Sequence, residues 1–362
     1  MKNNKNRNII LSSFNMYKGG SFSIYIALKK FITNDNKVLN ITFSDSYELF
    51  SLSEIKILYP LKYLNFLYRL FIEQILIFII ASIKNSKKII MLGNFPCFLW
   101  RGEQRILFHN LLYLYALNNP RKYSKKLFIE SLFWSFLIRK VKPKIYVQTK
   151  FVEKMLKSHF KNNLHIENIG CPVKDFSIEN DLKINTCPFK LKRFNTKNRI
   201  IFEEDKLHLF YPALFYPHKN HKLIFKCSDF FSKNNIKIHL TFNKKDIPNN
   251  KFNLKPFAFY DYLNDQEVNY IYSQTDGLIY TSLVESLGMP LLEIINYKKP
   301  IIAINLPYVN AIVSNCYFFR PNKTSICKTI LRFKKDHSLK KVKIARSIIN
   351  INNKDFYHRL LY

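Results

Sequence analysis

The sequence predicts an α/β protein of two domains, each built on a parallel sheet wrapped by helices. Three observations carry this. The chain has 362 residues, more than one ordinary core, and two domains of roughly 150 to 200 residues suit it. Short apolar runs ending in small or polar residues alternate with helical patterns, as in a doubly wound fold. The alternation dissolves from Lys174 to about Asp205 into Asn, Lys, Glu and Asp, and then restarts.

The elements follow in order. "RNIILSSF" reads as a buried strand. "NMYKGGSFSIYIALKKFI" then opens on Gly19-Gly20 and continues with Ile24, Ala27, Leu28 and Phe31 at helical spacing. Strand, glycine turn and helix make the first unit of a doubly wound domain. "KVLNITFS" is a further strand. The stretch from Lys62 to Lys88 carries a polar stripe at Lys62, Asn65, Arg69 and Glu73, and its uncharged run, Gln74 to Ile83, is ten residues. A membrane span needs about 20, so a mostly buried domain helix is expected. "KKIIMLGNF" and "QRILFHN" are strands, residues 124–140 a helix, "PKIYVQT" a strand, "KFVEKMLKSHF" a helix, and "LHIENIGCPV" closes the first half. After the irregular stretch come strand "KLHLFYPA", helix "NHKLIFKCSDFFSKN", strand "IKIHLTF", helix "NDQEVNYIYSQT", strand "GLIYTS", helix "SLGMPLLEIINY" and strand "PIIAIN". The expected division is a first domain over 1–173, a linker over 174–205, a second domain over 206–345, and a C-terminal helix over 346–362 that packs back on the first domain.

Composition narrows the function. Hydrophobic content of 48% is ample for two cores and argues against disorder. Net charge is +33, with 27 basic and 9 acidic residues up to Pro172 and 31 and 16 beyond it. Charge spread this evenly suits an anionic membrane or phosphate-rich substrates better than nucleic acid, whose binders concentrate it in a tail or stripe. A lysine-rich coding bias explains it equally well. The six cysteines form no Cys-x-x-Cys pair and have no His cluster beside them, so neither zinc nor a disulfide framework is expected. They read as reduced, cytoplasmic cysteines filling apolar space. The N-terminal apolar run, Ile9 to Leu11, is too short for a signal peptide.

Carboxylates are scarce, 25 against 58 basic residues, yet Glu285 and Glu293 stand eight apart with Gly288 and Pro290 between them. Glu285 falls in the turn after strand "GLIYT" and Glu293 on the following helix. Ligands of open α/β sheets bind outside the carboxyl ends of the strands. The amides of Ser286, Leu287 and Gly288, read as that helix's N-terminus, are donors for an anion, and a carboxylate further along can accept from vicinal hydroxyls. Phosphate on the amides and ribose on Glu293 make a workable nucleotide-sugar site.

These residues resemble the retaining family 4 glycosyltransferases, whose signature is Glu-Gly-Phe-Gly-Leu-Pro-x-x-Glu after a strand ending Pro-Ser. This chain has "TSLVESLGMPLLE" followed by "KKPIIAINLPYV". Ser286 replaces Gly, Leu287 replaces Phe and Thr281 replaces Pro. In "LFYPALFYPHKNHKLIF", Lys219 matches the lysine that holds the diphosphate, while the family arginine six residues earlier falls on Ala213; His218 or Lys222 is left to supply that charge. Gly19-Gly20 matches the glycine-rich first loop, and His109 ends a first-domain strand where family members often carry a histidine beside the donor sugar.

The resemblance implies the GT-B fold: two facing Rossmann-like domains with the active site in the interdomain cleft. It implies transfer from a nucleotide-sugar donor to a glycan or lipid-linked oligosaccharide acceptor with retention, with Glu285, Lys219 and His109 at the reaction and Gly19, Gly20, Ser286, Leu287, Gly288 and Glu293 holding the substrate. No cofactor is expected, and the absence of an Asp-x-Asp motif points away from a metal. The aromatic, base-flanked helix "SKKLFIESLFWSFLIRK" reads either as a domain-packing helix or as one lying in a membrane interface. The second reading, with the charge, places the enzyme at the inner face of the cytoplasmic membrane in bacterial surface-polysaccharide assembly (O-antigen, capsule or lipopolysaccharide). A same-fold enzyme such as a sugar-nucleotide epimerase, a catalytically weakened scaffold and a basic nucleic-acid-binding protein remain alternatives; the last leaves the glutamate pair unexplained.

Overall fold

The computed structural model describes residues 9–13, 24–25, 28–29, 31–32, 34–35, 37–44, 54–58, 66–172, 202–247, 252–261, 263–336, 343–344, 350–351 and 353–362. The chain divides into two compact units, Met1–Lys174 with Ser347–Tyr362, and Asp175–Arg346.

The first unit holds seven strands: β1 (Ile9–Ser12), β2 (Val38–Ser44), β3 (Glu54–Leu58), β4 (Lys88–Met91), β5 (Glu103–Leu107), β6 (Lys144–Val147) and β7 (Ile166–Asn168). Their order in the sheet is β3-β2-β1-β4-β5-β6-β7, and every pair is parallel. The helices are α1 (Phe66–Ile83), α2 (Leu112–Asn118), α3 (Lys125–Val141) and α4 (Lys150–Phe160). Ser124 and Thr149 cap α3 and α4 by accepting the amides of Leu127 and Val152, which satisfies donors that the first helical turn leaves open. Both faces of a parallel sheet are covered, so its strands read as unbroken apolar runs, and Ile89, Ile90 and Met91 are fully buried.

The C-terminal helix, Asn353–Leu361, belongs to this unit. Phe356, Tyr357, Leu360 and Leu361 join Ile9, Leu28 and Val38 in one core cluster. The Arg105 guanidinium donates to the carbonyls of Leu360 and Tyr362 at 3.2 and 3.1 Å, and Lys88 Nζ to that of Leu361 at 2.7 Å. Cations thus meet the carbonyls that a helix C-terminus leaves open.

The second unit holds β8 (Leu207–Tyr211), β9 (Ile236–Leu240), β10 (Phe257–Phe259), β11 (Gly277–Tyr280), β12 (Ile301–Ile304) and β13 (Tyr317–Phe319). Their order, β10-β9-β8-β11-β12-β13, is again wholly parallel. The helices that bear on the site are α5 (Asp265–Gln274) and α6 (Met289–Asn296); α7 (Lys323–Lys335) packs under β13. In each unit the chain order reverses between two neighbouring strands, β1/β4 in the first and β8/β11 in the second. Such a switch point opens a crevice at the carboxyl ends of the strands.

Two expectations fail locally. Helix α1 was expected to be a mostly buried domain helix with a polar stripe that includes Glu73. Instead Glu73 is 2% exposed and accepts from Ser12 Oγ at 2.6 Å, while Phe71 is 63% exposed. The carboxylate turns inward because the carboxyl end of β1 offers it a hydroxyl. Second, the helix expected over 286–297 begins only at Met289, behind Gly288 at φ +63. A left-handed residue there ends the preceding loop, so Ser286 and Leu287 lie in that loop.

Candidate active site

The site is built at the switch point of the second sheet. The loop after β8 carries Ala213, His218 and Lys219; the loop after β11 carries Thr281, Ser282, Glu285, Ser286 and Leu287, and ends on Gly288. The two loops are laced together. The Leu283 amide donates to His218 O at 2.7 Å and Thr281 Oγ1 to Lys219 O at 3.0 Å, and Ser282 Oγ lies 3.3 Å from His218 O. The phenol of Tyr211, at the end of β8, donates to Lys219 O at 2.8 Å. Thr281 and Ser282 are fully buried. Small hydroxyl residues at these positions satisfy loop carbonyls that would otherwise be buried unpaired.

This lacing sets one pair of charges. Lys219 Nζ makes an ion pair with Glu285 Oε1, and Ser282 Oγ donates to the same oxygen at 2.7 Å. Both charged side chains are under one-fifth exposed. Three buried phenols, those of Tyr211, Tyr280 and Tyr308, stand around the carboxylate. Burial first, and then the charge of Glu285, pushes all three well above the ordinary tyrosine range. They remain neutral donors at every working pH. Tyr308 spends its hydrogen bond on Ser282 O, which further fixes the loop.

Gly288 is required where it stands. Its φ is +63, and a Cβ there would come within 2.9 Å of Tyr280 Oη. The chain then enters α6 with Pro290 in the first turn, where proline's missing amide costs nothing. Glu293 sits one turn in, half-buried, and accepts from the buried Tyr272 phenol of α5 at 2.9 Å. Lys219, Glu285, Ser286, Leu287, Gly288 and Glu293 therefore share the carboxyl edge of one sheet.

The cation missing at position 213 is not restored next to it. Ala213 is buried, and His218 is pushed down to about 4, by burial first and then by Lys219, so it is neutral near pH 7. His221, likewise buried, is pushed down to about 3. Lys222 is exposed on the short helix that follows.

His109 belongs to the first unit. It follows the carboxyl end of β5, half-buried, and burial lowers it to about 4. Its backbone amide donates to Asn94 Oδ1 at 2.7 Å. Asn94 has φ +72, and its own carbonyl accepts from Trp134 Nε1 at 3.1 Å. Asn94 escaped the sequence reading. Its one signal is "GN" directly after a strand, a common turn pair, and its tie to Trp134 spans 40 residues. Gly19 and Gly20 lie outside the described residues. Among the described residues, no three His, Cys, Asp or Glu side chains are grouped to hold a metal ion, and no helix is long and apolar enough to cross a membrane.

Comparison with known proteins bears on both units. Residues 192–350 match the family glycosyl transferases group 1. No curated protein matches the sequence. Among solved structures, WaaG, a glycosyltransferase involved in lipopolysaccharide biosynthesis, superposes with a TM-score of 0.67 at 11% identity, covering 97% of this chain and 95% of its own. Sucrose-phosphate synthase from Thermosynechococcus elongatus gives 0.64 at 13% identity, covering 97% and 93%. HepE from Anabaena, solved with UDP and glucose, gives 0.60 at 11% identity, covering 97% and 94%. Residues 192–350, which contain the Lys219–Glu285 pair, match the glycosyl transferases group 1 family, in a chain with the two-domain Rossmann-like fold of the GT-B glycosyltransferases.

Proposed function

We propose that the chain transfers a sugar from a nucleotide-sugar donor to a glycan or lipid-linked oligosaccharide acceptor, with retention at the anomeric carbon and without a metal ion. Assembly of a bacterial surface polysaccharide is the setting this reading favours. The observation that carries it is the Lys219–Glu285 pair at the switch point of the second sheet, with Gly288 and Glu293 beside it.

The roles follow from the chemistry. Lys219 meets the negative charge that develops on the leaving diphosphate; a donor of this kind is typically worth about 3 kcal/mol in the transition state. The loop amides at 286–288 add to it. Glu285, once the diphosphate takes over Lys219, orients the donor sugar's hydroxyls and stabilises positive charge at the anomeric carbon. Glu293 accepts from ribose hydroxyls. The bond from the anomeric carbon to the phosphate oxygen breaks, the acceptor oxygen bonds to the same face, and the acceptor proton passes to the departing phosphate. Such a route depends on positioning more than on a strong base. The resemblance gives His109, neutral near pH 7, the role of a hydrogen-bonding group to the donor sugar.

A catalytically weakened scaffold is the second reading, favoured by buried Ala213 and neutral His218 where the resemblance implies a cation. Thermal shift with UDP-, GDP- and ADP-sugars separates the two. Transfer predicts stabilisation by one nucleotide, lost in Glu293→Gln, which keeps an acceptor for Tyr272. No stabilisation at millimolar ligand favours the scaffold.

A further inference from the structure

Among the described residues fourteen large apolar side chains are exposed, and ten of them lie on α1, α3 and the loop between β4 and β5. Helix α3 is apolar on its outer face as well as on its buried one, where Trp134, Leu137 and Ile138 pack. It buries Ser131 and Ser135 around Trp134, and turns Ile129, Leu132, Phe133 and Phe136 outward. Lys125, Ile129, Leu132, Phe136 and Lys140 recur at helical spacing, so the outward face is apolar with a cation at each end. Helix α1 does the same at Phe71, Phe78, Ile79 and Ile83. Patches of this kind on soluble chains mark interaction sites.

Between the two helices runs a groove of about 470 Å³, lined by Phe71, Ile75, Phe98, Leu99, Phe133 and Phe136. Gln74 lies at its base, but its amide is already committed: Nε2 donates to Pro96 O at 3.0 Å and Oε1 accepts the Phe98 amide at 2.6 Å. The groove therefore suits hydrocarbon.

We propose that this face docks on an anionic lipid bilayer, with the α1–α3 groove taking an acyl chain and the cations at the ends of α3 meeting headgroups. Charge decides between lipid and a second copy. Lys125, Lys126, Arg139 and Lys140 are exposed and make no ion pair with the described residues, and the chain carries +33. A symmetric dimer through this face would set its basic rim against an equally basic one. An anionic headgroup layer complements the rim, and lysine and arginine stems reach past apolar side chains to it. The inference goes beyond the transfer reading and stands without it, since neither the groove nor the rim includes a residue of the candidate active site.

The test is co-sedimentation of the full chain with vesicles, comparing phosphatidylcholine containing one-third phosphatidylglycerol with phosphatidylcholine alone. Leu132→Gln/Phe136→Gln alters only exposed side chains, so the melting temperature should hold. This variant should bind anionic vesicles roughly tenfold or more weakly, because two large side chains no longer enter the interface. Lys125→Glu/Lys140→Glu should also bind more weakly and show a shallower salt dependence. Undiminished binding by the apolar variant would overturn the proposal and reduce the effect to bulk charge. So would wild type staying in the supernatant. A concentration-dependent dimer that Leu132→Gln/Phe136→Gln dissociates would assign the face to a second copy instead. Nucleotide-sugar thermal shift on the same variants should match wild type, which keeps failure here distinct from failure of the transfer reading.

Discussion

Lys219 and Glu285, 66 residues apart in the chain, neutralise each other across the switch point of the second sheet. In the proposed transfer, the cation that meets the diphosphate is thus held by a carboxylate before the donor binds. Binding has to exchange one partner for another, and that makes the two residues separable by experiment.

Glu285→Gln keeps an acceptor for Ser282 but releases Lys219. It should tighten binding of the nucleoside diphosphate by about 3- to 10-fold, since Lys219 is no longer held by an ion pair. Transfer should fall by roughly 100-fold or more, because the carboxylate's charge is lost at the anomeric carbon. Lys219→Met should weaken both. Calorimetric titration and initial-rate assays read the two effects. If Glu285→Gln weakens nucleotide binding as Lys219→Met does, the pair is a structural clamp.

Gly288→Ala should destabilise the second unit by about 1–3 kcal/mol, since alanine is strained in the left-handed region and its Cβ meets Tyr280 Oη. Urea unfolding measures it. Tyr280→Phe in the same chain removes the clashing oxygen and should restore part of the loss. The φ contribution should remain.

A buried chain of neutral groups links β8 and β9 to Tyr260, the residue after β10. His239 Nδ1 lies 2.7 Å from the Tyr260 hydroxyl, its Nε2 lies 2.8 Å from His208 Nδ1, and His208 Nε2 lies 2.9 Å from Glu203 O. One proton order satisfies all three contacts: Tyr260 donates to His239, His239 to His208, and His208 to the carbonyl. Burial, and then His208, lowers His239 to about 3. Below about pH 6.5 the unfolded chain binds a proton that the folded chain refuses, so this stability is present above that pH and is lost as pH falls toward 3. Urea midpoints should therefore drop between pH 7 and 5. His239→Leu should flatten the slope there by about one proton, at most about 1.4 kcal/mol per pH unit. An unchanged slope would show that His239 is protonated in the fold.

The second unit was more legible than the first, for a physical reason. Most of its site is local: Thr281 to Glu293 form one strand end, one loop and one helix start, so spacing along the chain reports proximity, while Lys219, 66 residues before Glu285, was reached only through the resemblance. The N-cap position at Gly288 was partly hidden, because a left-handed glycine looks in sequence like a glycine inside a helix. In the first unit the pattern misled at α1, where Phe71, Phe78, Ile79 and Ile83 face outward and Glu73 faces inward. Apolar periodicity reports a face; it does not say what covers that face. Strands β3, β10 and β13 also escaped. Two of them have three residues, too few to show an alternation, and β3 carries Glu54 and Lys56. The Trp134–Asn94–His109 linkage was beyond sequence altogether, since it depends on α3 packing over the loop after β4.

That linkage supplies the last prediction. Asn94 does two jobs with two groups: Oδ1 holds the His109 amide, and its carbonyl, turned by φ +72, accepts the Trp134 indole. Asn94→Gly keeps the left-handed backbone easily and removes only the side chain. It should leave the melting temperature near wild type and lower turnover by roughly 10- to 100-fold, the cost of a misplaced positioning group. Asn94→Ala removes the same side chain and adds about 1–2 kcal/mol of left-handed strain, so it should lose stability as well as activity. Trp134→Phe should lose stability with a smaller effect on turnover, because it frees a carbonyl and leaves the Oδ1 contact intact. Burial holds His109 near 4, so turnover in wild type should show no His109 titration between pH 6 and 8. Full activity in both Asn94→Gly and His109→Ala would assign this loop to packing and leave the chemistry to the second unit.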